Sequence, residues 1–191
     1  MVDGTRSGSL VGFRRASKSP VLEQVSFDVV APDETGPVLI LLHGAITSGE
    51  WIRMVDHYAQ SIRSPIKICG ISPGWMSTLY VLFGADISKL VHEVKYNIDK
   101  IIAEHPERKI SIACHSFGTF IFNEVMKTGI ADQIENVFLL GSIIRQQDIN
   151  QMLKGTNHVI CDCSTSDFLA IILETCIPLK YERTSLIGFN N

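Results

Sequence analysis

Apolar residues along this chain follow two rhythms. Val25-Ser26-Phe27-Asp28-Val29 alternates apolar and polar, which predicts a half-buried strand. After a turn-rich break over Ala31–Pro37, Val38-Leu39-Ile40-Leu41-Leu42 is unbroken and apolar, as expected of a strand covered on both faces. Ile66–Ile71 is a further short apolar strand, closed by Ser72-Pro73-Gly74. Lys109–Cys114, Val137–Leu140 and His158–Cys161 read the same way. Between them the period changes to that of a helix. The clearest case is Asp86–His105, where Ile87, Leu90, Val91, Val94, Ile98, Ile101 and Ile102 fall on one stripe. Asp86 is placed to cap it and Pro106 to stop it. Glu50–Ile62 reads as a helix with a less regular stripe. Phe117–Lys127 is apolar on most sides and so belongs in the centre, with Gly129 as its C-terminal cap. Phe168–Cys176 predicts a last short helix. Strands alternating with helices imply an α/β class fold: a mostly parallel central sheet with helices on both faces.

Composition narrows the picture. The 191 residues fit one domain, 1–191, with 46% hydrophobic and 19% charged residues, which excludes a disordered chain. A net charge of −3 gives no footprint for nucleic acid or an anionic membrane surface. No apolar run reaches the length of a membrane span, and no signal-peptide core follows the polar start Met1–Arg6. Five cysteines without a disulfide-framework spacing point to a reducing, cytoplasmic setting. Cys161-Asp162-Cys163 places two thiols close together, but no second pair completes a zinc site, so no metal is expected.

The candidate chemistry sits where strand meets helix. In Ile112-Ala113-Cys114-His115-Ser116-Phe117-Gly118, a sharp turn would lift the Ser116 hydroxyl above the sheet and aim the first N–H groups of the helix at an oxyanion. Such a crowded turn wants small residues two positions either side of the serine. Gly118 meets this requirement, and Cys114 stands at the other position. Leu41-Leu42-His43-Gly44-Ala45 ends the most apolar strand, and its glycine lets backbone approach a ligand closely.

In this order, the two segments resemble the serine turn and the His-Gly loop of the α/β-hydrolase family of serine esterases and lipases. The resemblance covers roughly residues 20 to 190. It implies a serine hydrolase acting on carboxylic esters or related acyl substrates. Ser116 would be the nucleophile and the backbone N–H groups of Ala45 and Phe117 the oxyanion hole. No metal or organic cofactor is required. The family order is serine, acid, histidine. The segment Val159–Asp167 is similar to the acid loop of bacterial members, with Asp167 as the acid; Asp162 falls on or near the strand, and Asp148 is the alternative. An aspartate before a helix also suits a simple N-cap role.

Two features depart from the family pattern. Cys114 replaces the usual glycine, and no histidine follows Asp167 before the sequence ends at Asn191. His43, at the end of a strand neighbouring that of Ser116, either serves as a base or orders its own loop, and the second role is favoured. His115 adjoins Ser116 but should point elsewhere. His57, His92 and His105 fall in or beside helices, and His158 begins a strand at the wrong end of the sheet. The apolar cluster Trp75–Phe83 either lines an acyl pocket or belongs to the core. A chain lacking the base is also compatible with a catalytically inactive binding module for a small apolar ligand. A third possibility is a homo-oligomer formed through an open sheet edge.

Overall fold

A computed structural model of the chain describes residues 22–25, 35–44, 50–73, 87–152 and 154–162. They form a six-stranded sheet in the order β1-β3-β2-β4-β5-β6. The strands are β1 Leu22–Val25, β2 Val38–Leu42, β3 Lys67–Pro73, β4 Ile110–His115, β5 Asn136–Leu140 and β6 His158–Asp162. Strands β2 to β6 run parallel, and β1 pairs antiparallel with β3. The helices are α1 Glu50–Ser61, α2 Ser88–Glu104, α3 Phe117–Met126 and α4 Gln146–Met152, with a 3-10 turn at Ala131–Gln133.

The unbroken run of β2 is explained by its two covered faces. Val38, Ile40 and Leu42 pack into the larger core with α2 and α3, whereas Leu41 joins Ile52 of α1, Ile68 and Ala113 on the other face. The chain is therefore α/β with helices on both faces, as the alternation predicts. Each such buried aliphatic side chain contributes about 1.5–3 kcal/mol. The stripe of α2 buries Leu90, Val94, Ile98 and Ile101, and α3 is buried at every position but Glu124, so it is the central helix.

Several local expectations shift. The N-cap of α2 is Ile87, which makes no side-chain capping bond, and Asp86 lies outside the described residues. Strand β3 runs on through Ser72 and Pro73, where a closing turn was expected, because these residues pair with Glu23 and Leu22 of β1. The first strand covers 22–25; the alternating residues 26–29 are outside the described set, as are Trp75–Phe83 and the helix expected over Phe168–Cys176. Gly129 takes φ +94, the left-handed conformation of a helix-ending glycine. Helix α4 was not expected from the sequence. Strand β6 is an edge among the described residues, and Ile160 on it is 54% exposed.

Candidate functional site

The order of strands locates the site. From β2 the chain passes through α1 to β3 on one side, then crosses through α2 to β4 on the other side of β2. The sheet thus changes winding direction between β2 and β4. In open α/β sheets, ligands bind outside the carboxyl ends of the strands at such a switch point. His43 and Gly44 follow the end of β2 there, and Ser116 follows the end of β4.

Ser116 has φ 51 and ψ −123, and is one of two non-glycine residues with positive φ among the described residues. Left-handed backbone at a serine costs about 1–3 kcal/mol and persists only where the surroundings over-determine it. The surroundings here do so. The Ser116 N–H donates to the Leu140 carbonyl at 2.8 Å, and the Ser116 carbonyl accepts from the Thr119 N–H at 2.9 Å and its hydroxyl at 2.6 Å. Thr119, fully buried, in turn accepts from the Ile143 N–H at 3.2 Å. The turn is thereby tied to the ends of both β4 and β5. Ser116 itself is half-buried.

Two glycines let the β2 loop and the start of α3 touch. A Cβ on Gly44 would stand 2.5 Å from the His115 carbonyl oxygen, 2.9 Å from the Phe117 nitrogen and 3.0 Å from the Ser116 Cβ. A Cβ on Gly118 would stand 2.8 Å from the Leu42 carbonyl oxygen. The small residue expected at 118 is therefore required by the β2 loop. Gly44 permits a close approach to the protein's own serine turn. Cys114, below the turn, is fully buried in the larger core, and burial pushes its thiol well above the usual range, so it stays protonated.

The Phe117 N–H is the first of α3 and has no acceptor among the described residues. Free N–H groups at a helix start favour negative charge. Ala45 and Asp167 lie outside the described residues. Asp162 ends β6 with its side chain exposed. Asp148 lies in α4 and pairs with Arg145 at 3.2 Å.

All six histidines are described. Only His43 and His115 stand at this end of the sheet. His43 is fully buried, and its Nδ1 accepts from the Trp51 indole N–H at 2.7 Å. An indole N–H only donates, so Nδ1 presents a lone pair and the neutral ring carries its proton on Nε2. Such a ring has no vacant nitrogen to take a proton from a serine. The ring of His115 stacks on that of His43 at 6.2 Å, with Trp51 at 6.0 Å. The structure therefore supports the loop-ordering role for His43. Trp51 and Thr119, which position the loop and the turn, were not singled out by the sequence reading; a tryptophan opening the helix that follows the His-Gly loop was the available signal.

Trp51→Phe keeps the ring and removes the donor. It is expected to cost about 1 kcal/mol of stability. It should also convert His43 from a single Nε2–H tautomer to a mixture, read from imidazole nitrogen chemical shifts.

His105 caps α2 at the opposite end of the sheet. Its Nε2 is buried with no partner among the described residues. Burial, aided by Lys67 and Arg108 and opposed by Glu104, holds its pKa below the usual imidazole value. The unfolded chain then binds the proton more readily than the folded one. Stability from this group is present above about pH 6.5 and is lost as pH falls toward the folded-state value. His105→Gln should flatten the decline in melting temperature between pH 7.5 and 5.

No protein-family model and no curated protein matches the sequence. Among solved structures, the chain is similar to a highly thermostable carboxyl esterase from Bacillus coagulans, in complex with glycerol, at 11% identity and a TM-score of 0.43. The match covers 71% of this chain and 49% of that one, so the chain spans about half the length of that structure. Among the described residues, no helix is long and apolar enough to cross a membrane, and no group of metal-ligating side chains is gathered.

Proposed function

We propose that the chain carries the nucleophile and oxyanion half of an α/β-hydrolase site for carboxylic esters or related acyl substrates, with Ser116 as nucleophile. The observation that carries this reading is the strained φ of Ser116 at the switch point of the sheet. An ordinary strand-to-helix junction has no need of it.

In the proposed reaction, the Ser116 oxygen attacks the acyl carbonyl while its proton passes to a base. The carbonyl oxygen becomes negative and is held by the N–H groups of Phe117 and Ala45. Each such donor supplies about 100- to 1000-fold in rate. Collapse expels the alcohol, which takes up the proton, and leaves an acyl group on Ser116; water then releases the acid. Asp167 would orient the base histidine. Of the six histidines, four lie elsewhere in the fold, the Nδ1 of His43 is taken by Trp51, and His115 packs against both rings, which speaks against each of them as that base. Without a base the hydroxyl stays protonated and only residual reactivity is expected.

A fluorophosphonate probe tests the reading. Slow, saturable labelling of Ser116 is expected, with none in Ser116→Ala. The engagement of His43 favours a second reading, a binding module that holds a small apolar acyl ligand without turnover. Ester binding with no label on Ser116, and equal affinity in Ser116→Ala, would establish that alternative and end the first.

A further inference from the structure

A second site lies away from Ser116, on the flank of the central helix. Asn123, in the middle of α3, is 4% exposed, and its side-chain amide has no hydrogen-bond partner among the described residues. Its amide atoms nevertheless keep contact with solvent, so they are open to water or to a ligand. Asn123 borders a cleft of about 200 Å³ between α3 and α4, which is also lined by Met126, Lys127, Asp148, Met152 and Lys154.

Hydrogen-bond donors dominate the lining. Lys127 gives one N–H to Glu124 at 2.6 Å and keeps two. Lys154 is exposed and has no ion pair among the described residues. The carboxylate of Asp148 is already held by Arg145 at 3.2 Å. Met126 and Met152, both buried, supply an apolar, adaptable wall. A cationic rim, an accessible amide and a thioether wall together suit an anion with a short apolar body. The volume equals about six or seven waters at about 30 Å³ each, the room needed by a four-carbon acid.

We propose that this cleft binds a small organic carboxylate. Its oxygens accept from Lys127, Lys154 and the Asn123 amide, and its alkyl part lies on Met126 and Met152. The site is independent of the reaction assigned to Ser116, and Ser116→Ala should leave it intact.

The test is a titration with butyrate, followed by NMR of the Asn123 side-chain amide and of labelled methionine methyls. Saturable shifts at Asn123, Met126 and Met152 are expected. Asn123→Leu preserves the volume and removes an unpaired polar group, so it should stay folded and bind butyrate about tenfold more weakly. The exposed Lys154→Gln should weaken binding about threefold. Non-saturating shifts, equal shifts with butanol or butylamine, inorganic phosphate binding as tightly as butyrate, or wild-type affinity in Asn123→Leu would each overturn the proposal. Any of them would leave the amide satisfied by water alone.

Discussion

Gly44→Ala is expected to lose labelling at Ser116 by about 100-fold or more while destabilising the chain by about 1–3 kcal/mol. The added methyl has no free direction. It meets the His115 carbonyl oxygen at 2.5 Å and the Phe117 nitrogen at 2.9 Å, and both are backbone. Backbone cannot rotate aside as a flexible side chain does, so either the β2 loop or the serine turn must move. If the loop retreats, the oxyanion site proposed between it and the start of α3 is lost; if the turn retreats, the Ser116 hydroxyl moves. Both outcomes separate groups that must stand within hydrogen-bonding reach of one carbonyl. Fluorophosphonate kinetics and urea unfolding measure the two effects. Wild-type labelling in a destabilised Gly44→Ala would show that the loop has no part in the reaction.

Ser116→Gly and Ser116→Ala should both abolish labelling, yet differ in stability by about 1–3 kcal/mol in favour of glycine. Alanine keeps the Cβ, which the backbone at φ 51 and ψ −123 accommodates poorly. Glycine removes it, although part of the gain is offset by the greater freedom glycine gives the unfolded chain. A glycine variant more stable than the alanine variant means that the backbone is strained at this position. Equal stability would mean that the turn is relaxed, and the argument for a nucleophile would fall with it.

The fold was legible wherever both faces of a strand are covered. Val38–Leu42 shows it, because two packed faces leave no polar position to obscure the run. The stripe on Ser88–Glu104 was legible for the complementary reason: one buried face repeats over many turns. Gln146–Met152 was missed because it buries Ile149 and Met152 within only seven residues, too few for a period to declare itself. At the site, Ser116 and Gly118 stood out because the turn needs small residues close together in the chain. Trp51 and Thr119 did not, since their roles depend on partners brought in by folding: His43 for one, Ile143 for the other. The same limit applies to Gly44, whose neighbours at 115–117 come from the turn between β4 and α3.

Parallel pairing also has a consequence for synthesis. Val38-Leu39-Ile40-Leu41-Leu42 leaves the ribosome before one of its two partners, Ile110–Cys114, which is made only after α2. Arg108, which ties that later segment to the carbonyls of Gly36 and Pro37, arrives at the same time. Until then a five-residue aliphatic segment has one edge unpaired, a form prone to intermolecular β-association. Slowed translation between α1 and β4 should therefore lower the soluble yield more than the same delay placed after β4.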